Sequence, residues 1–399
     1  MTSRRGFLAG ALATLATAVR SRPANAAEER FLLVYWVKGG WDPTFCFDPH
    51  FDSASVEGDP LAEPGSASGI DFADAASRPS VRQFFLDWGA QTAVINGLAV
   101  GSISHDAGTR LLLTGQREEG GEDLPTRLAA ATGSELTLPH AVVAGPSYPG
   151  AHGGLVTQFD ATLLGAARGE VPSPRDLSRD ERIRAWLDVE AATGVDPQLV
   201  AWRAAAARLP SLREFAATTR PGLSDEFARV DLIARLFALG LSRTAIVTGA
   251  VPPMSQWDSH VENQLWQDRC YENLFANLQN LCATLQSTPG TSGAPLLAST
   301  RILVLSEMGR QPTFNAQGGK DHWPTTSAML IGADVAGGRI YGGTDDGLVA
   351  RGLDRATGEA SDGAERFDPG ALAATLALGF DIDPVELAPG STGLAAIWS

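Results

Sequence analysis

The stretch from Arg301 to Gly332, RILVLSEMGRQPTFNAQGGKDHWPTTSAMLIG, constrains the chain more than any other. RILVL is a short run of β-branched and leucine side chains, the pattern of a strand covered on both faces. It stops at Ser306-Glu307, and a loop rich in Gly, Asn and Gln leads to Lys320-Asp321-His322-Trp323. SAMLIG then reads as a second buried strand. A carboxylate at the carboxyl end of a buried strand, with a histidine-bearing loop returning beside it, stands where α/β proteins place their ligands.

Other stretches repeat the arrangement. FLLVYWV at 31–37 exits through Gly39-Gly40-Trp41-Asp42, so Asp42 is either a functional carboxylate or an Asp-Pro turn residue. Residues 91–97 form a strand that leads into Ser104-His105 and a helix ending at Gly115. Ser104 is a candidate nucleophile or the helix cap, and His105 a metal ligand or base. His140 opens another short strand, and the loop after it carries His152. Residues 243–249 form a strand running into Trp257-Asp258-Ser259-His260. The helix after it places Leu274, Leu278, Leu281 and Leu285 on one face. Residues 48–80, rich in Asp, Ser, Pro and Gly, read as an irregular surface excursion. Residues 173–241 read as a helical insert that caps or flanks the sheet, in a single domain covering 27–399.

Alternating strands and helices predict an α/β fold, a mostly parallel sheet sandwiched by helices. In such a sheet Asp42, Ser104, His105, Asp258, His260, Glu307, Asp321 and His322 converge on one edge. Carboxylates gathered there repel one another unless a cation neutralises them. Mixed imidazole and carboxylate donors suit Zn²⁺, Mn²⁺ or Fe, with Zn²⁺ or Mn²⁺ favoured, as one ion or two, better than Mg²⁺ or Ca²⁺. Asp42, Asp258, His260, Glu307, Asp321 and His322 are the candidate ligands. Arg310 and Lys320 are the candidates for holding an anionic ester, a small molecule or a glycan. His50 and His152 fall in loops away from this edge.

A net charge of −15 argues against nucleic-acid binding, because little here neutralises a row of phosphates. Cys46, Cys270 and Cys282 do not form a disulfide framework: the last two sit in one helix, about 18 Å apart at the helical rise. Arg4-Arg5-Gly6-Phe7-Leu8, a weakly apolar stretch and Ala24-Asn25-Ala26 make residues 1–26 a twin-arginine-type signal peptide. Export to the periplasm or beyond is the expectation, with no membrane span in the mature chain.

The ordered set GGWD, HDAG…LLTG, WDSHVENQ, SEMGRQPTFN and GGKDHWP resembles the exported bacterial family DUF1501, which is itself similar to the alkaline phosphatase/sulfatase superfamily. The resemblance covers nearly all of the mature chain and implies an alkaline-phosphatase-like fold with a two-metal site. It implies Asp42 as the first-strand metal aspartate, Asp258 with His260 as the Asp/His pair of one metal, and His322 as a late metal histidine. Glu307 stands where the superfamily has the Asp of an Asp-His dipeptide, and Met308 replaces the histidine. Counted back from Thr114-Gly115, His105 stands at the sulfatase nucleophile position, and no Cys/Ser-x-Pro-x-Arg motif is present. The resemblance implies hydrolysis of phosphate or sulfate esters. The alternative is a non-catalytic cell-envelope binding protein with a degenerate metal site.

Overall fold

The computed structural model describes residues 29–116, 121–160, 163, 210–219, 223 and 225–399. The expected signal segment and most of the expected helical insert lie outside the described residues. The strands are β1 (Phe31–Val37), β2 (Glu63–Ala67), β3 (Ile70–Asp74), β4 (Thr92–Ala99), β5 (His140–Val143) and β6 (Val156–Phe159). They continue with β7 (Thr244–Thr248), β8 (Thr300–Ser306), β9 (Gly309–Arg310), β10 (His322–Trp323), β11 (Thr325–Gly332) and β12 (Arg339–Gly342). The helices used below are α1 (Pro79–Trp88), α2 (His105–Thr114), α3 (Leu124–Gly133), α4 (Glu226–Ala238), α5 (Asn263–Ser287) and α6 (Pro369–Gly379).

Among the described residues the main sheet has eight strands in the order β12-β4-β11-β8-β1-β7-β5-β6. β1 pairs in parallel with both β7 and β8, and β5 with β6 and β7. β11 alone opposes its neighbours, running antiparallel to β4 and β8. The amino end of an antiparallel strand lies at the carboxyl edge of the others. His322, just before β11, therefore arrives where β1, β4, β7 and β8 end.

Strand periodicity separates two cores. Leu33, Tyr35 and Val37 of β1, with Val304 and Met329, face α1, α4 and α5. Leu32, Val34 and Trp36, with Leu303, Leu305 and Leu330, face α2, α3 and α6. All seven β1 side chains are buried, and each large apolar one contributes about 1.5–3 kcal/mol relative to exposure. The leucine stripe of α5 is buried as its spacing predicts.

Residues 48–80 are more ordered than their composition suggests. β2 and β3 pair as a hairpin around Ser68-Gly69, both with positive φ (52° and 84°), the geometry of a tight two-residue hairpin turn. Alternation buries Ile70 and Phe72, and Phe72 stacks on Phe85 of α1 with ring centroids 5.0 Å apart. The polar turn residues concealed that alternation.

Candidate metal centre

The edge is shaped first by the exit from β1. Gly39 and Gly40 have φ of 122° and 78°, which glycine alone adopts readily. A Cβ on Gly39 would lie 2.9 Å from Trp257 Cβ, and one on Gly40 would lie 2.8 Å from Met308 Cγ. The freed backbone amides bind the end of β8: Gly39 N donates to Glu307 Oε1 at 2.7 Å, and Gly40 N to Ser306 Oγ at 3.1 Å. Gly108 serves the same end from another side. Its missing Cβ would meet the Glu307 carbonyl at 2.7 Å, so α2 can press close enough for His105 to reach the Glu307 carboxylate.

Two loops close over this floor. Residues 257–261 and 315–321 lie backbone against backbone: Lys320 N donates to Ser259 O, Asn315 Nδ2 donates to His260 O, and Val261 bridges Gly318. β9 and β10 pair Arg310 with His322. Asp258, His260 and His322 are thereby held beside His105.

The histidines share one arrangement. His105 Nδ1 donates to Glu307 Oε1 at 2.8 Å, His260 Nδ1 to Asp321 Oδ1 at 2.7 Å, and His322 Nδ1 to the Ile103 carbonyl at 2.7 Å. Each partner is an acceptor, so the Nδ1 proton is fixed and, in the neutral ring, Nε2 carries the lone pair. All three Nε2 atoms face Asp258. His322 lies 3.0 Å and His260 3.2 Å from Oδ1, and His105 lies 3.3 Å from Oδ2. His260 Nε2 and His322 Nε2 stand 3.1 Å apart. Lone pairs facing a carboxylate and one another need positive charge between them, supplied by protons or by a cation. Candidate ligand atoms of His105, Asp258 and His322 all lie within 4.8 Å of one another, a spacing that could hold one ion. The Nδ1 partners are the supports that orient metal-bound imidazoles.

Arg310 backs the cluster. It is fully buried, donating through Nε to Gly40 O, through Nη1 to Lys320 O, and through Nη2 to Gly39 O, Trp257 O and Asp258 Oδ1. Burial pushes the Asp258 carboxyl up, but hydrogen bonds from His322 and Arg310, with the Arg310 charge, hold it well below the usual carboxylate range. The hydrogen bond to Glu307 raises His105 above the ordinary imidazole value; partial burial opposes this, and the charges of Glu307 and Asp258 reinforce it.

Other expected site residues lie elsewhere or face away. Asp42 does not join the histidines. It is buried with Lys320, whose Nζ lies 2.9 Å from Oδ2, and accepts from Thr44 N, Thr44 Oγ1 and Asn263 Nδ2. Its N–H donates to Gln267 and its carbonyl accepts from Tyr271, so an i, i+4, i+8 face of α5 is tied to the β1 exit. Glu307 and Asp321 accept from histidine Nδ1 atoms and so stand behind the donor set. Arg310 and Lys320, expected to hold an anion, are both fully buried. Ser104 is the N-cap residue of α2 by position, exposed, with no side-chain capping bond. His50 meets Asp48 and Thr344, and His152 meets Glu122. The Ile103 carbonyl and the α5 face of Asn263, Gln267 and Tyr271 are support that the sequence reading missed. Polar side chains four apart on an otherwise leucine-striped helix were the available signal. A cleft of about 510 Å³ lined by Ala99, Arg355, Arg366 and Asp368 includes none of the histidines.

Fold and site together define an α/β protein with a histidine–aspartate cluster at the carboxyl edge of a mostly parallel sheet. The chain belongs to DUF1501, described as a protein of unknown function, whose family model matches residues 174–395. No curated protein matches it. Solved structures similar to it include Ps i-CgsB in complex with k-i-k-neocarrahexaose, at 8% identity and a TM-score of 0.43, covering 93% of this chain and 76% of that one. Another comes from work on glycosaminoglycan metabolism by Bacteroides thetaiotaomicron, at 10% identity and TM-score 0.43, covering 93% and 77%. A third is an alkaline phosphatase superfamily protein from Vibrio parahaemolyticus, at 10% identity and TM-score 0.36, covering 97% and 78%.

Proposed function

We propose that this protein is an exported, metal-dependent hydrolase of phosphate or sulfate esters. The observation that carries the reading is the shared tautomer of three histidines, each tied through Nδ1 to an oxygen and turning Nε2 onto Asp258. His105, Asp258 and His322 would hold the cation, and their nitrogen and oxygen donors fit Zn²⁺ or Mn²⁺. Such an ion supplies Lewis acidity toward an ester oxygen. The ester class rests on the motif set shared with the family resemblance described above.

The chain's own groups then have separate tasks. Glu307 and the Ile103 carbonyl orient His105 and His322, and Arg310 fixes Asp258. The uncapped amino end of α2, beside His105, offers backbone N–H groups and the positive end of a helix dipole to the anionic group. Ser104 stands exposed at that end as the candidate nucleophile. His260 has a side chain 44% exposed and a proton held on Nδ1 by Asp321, so its Nε2 would take up the proton shed by the attacking hydroxyl and return it to the leaving alcohol. The export step rests on Arg4 and Arg5, and lysine at both positions is expected to retain the precursor in the cytoplasm.

One set of observations favours a second reading, a non-catalytic envelope protein that binds an anionic ester or glycan. Arg310 and Lys320 are committed to internal partners, and no base touches the Ser104 hydroxyl among the described residues. The test is turnover of aryl phosphate monoesters, phosphate diesters and sulfate esters by protein loaded with Zn²⁺ or Mn²⁺. Hydrolysis of one class, abolished in Asp258→Asn, supports the enzyme. A loaded protein that binds these esters and turns none over supports the second reading.

A further inference from the structure

We infer that this centre takes one divalent cation and not two, because the buried Lys320 ammonium already supplies the positive charge that Asp42 would otherwise draw from a second metal. The inference rests on the metal-binding reading above. Asp42 and Lys320 have side chains with no exposure at all, and their charged atoms are 2.9 Å apart. A carboxylate has about four acceptor positions, two on each oxygen. Those of Asp42 are matched one by one. Oδ1 accepts from Thr44 N at 3.1 Å and Thr44 Oγ1 at 2.7 Å. Oδ2 accepts from Asn263 Nδ2 and faces Lys320 Nζ, each at 2.9 Å. No lone pair on Asp42 is left for a metal.

Lys320 is equally committed. Its Nζ donates to Thr44 Oγ1 at 3.1 Å and lies over the rings of Phe45 and Phe314, at 5.7 and 5.2 Å from their centroids. An ammonium walled by two aromatic rings, a hydroxyl and a carboxylate cannot move to solvent without opening the loop that carries it. That loop is pinned by Arg310 Nη1 on the Lys320 carbonyl and by Lys320 N on Ser259 O. A second ion would have to displace both the ammonium and the Asn263 amide. The chain thus answers the Asp42 carboxylate with a cation of its own.

The test is metal stoichiometry. Protein stripped with chelator is reloaded with Zn²⁺ or Mn²⁺, desalted, and analysed by plasma mass spectrometry, with calorimetric titration of the same ions alongside. One equivalent per chain is the expected result. Two equivalents overturn the inference while the metal reading stands, and none overturns both. The double variant Asp42→Asn/Lys320→Met removes the pair together, and its fold is checked by circular dichroism. It is expected to keep one equivalent with affinity changed less than about threefold, whereas Asp258→Asn loses tenfold or more. Loss of the ion from a folded double variant would put Asp42 in the coordination shell and overturn the proposal. If the double variant does not fold, the wild-type stoichiometry decides.

Discussion

Glu307→Gln separates a support role from a ligand role with little change of shape. Glu307 is fully buried and its Oε1 accepts from both Gly39 N and His105 Nδ1, at 2.7 and 2.8 Å. Glutamine keeps an oxygen in that place but removes the charge that strengthens His105 as a donor to a cation. Loss of such an orienting partner typically weakens metal binding 10–100-fold, which is about 1.4–2.7 kcal/mol. The equivalent change Asp321→Asn acts on His260 from a side chain that is 57% exposed, where water screens the charge, so its effect is expected to stay under tenfold. The assay is competition for Zn²⁺ or Mn²⁺ against a chromogenic chelator, with melting curves to confirm that each variant is folded. Equal affinities for wild type and Glu307→Gln would refute the idea that this buried carboxylate orients a metal ligand. A larger effect from Asp321→Asn would invert the argument from burial.

Two further outcomes follow from the same geometry. In metal-free protein, His105 has a folded pKa above its unfolded value, so its contribution is full below about pH 6.5 and is lost as pH rises through the folded pKa. Metal affinity has the opposite slope, because the imidazoles must be unprotonated to bind. Raising pH from 6 to 8 should therefore lower stability in chelator relative to His105→Asn, and raise metal affinity; parallel slopes would count against the cluster. Cys46, Cys270 and Cys282 are buried and unpaired, and burial pushes the Cys270 thiol up to about 12. Thiol reagents should modify none of the three in native protein and all three after denaturation; rapid labelling of native protein would contradict the packing.

Much of the fold was legible because strand periodicity is a local property. The β-branched runs at 31–37 and 301–305 mark buried strands whatever they pack against. The Ser-Gly turn at 68–69 hid a hairpin, because polar composition masked the alternation of Ile70 and Phe72. That His105, Asp258, His260 and His322 meet at one edge was legible from their places beyond strand ends. What was not legible is which charge neutralises which. A strand-end aspartate looks the same in sequence whether it faces a metal or a lysine, and the partner is chosen by loops that meet only in the folded chain. Asp42 was read as a ligand from its strand-end position and the family resemblance, yet Lys320, remote in sequence, faces it in the buried core. Arg310 was read as an anion holder, yet five acceptors enclose its guanidinium.

The most direct measurement is the melting temperature of chelator-stripped protein with and without Zn²⁺ or Mn²⁺. An ion that binds only the folded state at a thousandfold excess over Kd adds about 4 kcal/mol. For 399 residues the unfolding entropy is about 0.8 kcal/mol/K, so the melting temperature should rise by about 5 °C. The rise should vanish in Asp258→Asn and shrink in His105→Asn and His322→Asn. A wild-type melting temperature indifferent to both ions would contradict a metal centre built on these residues.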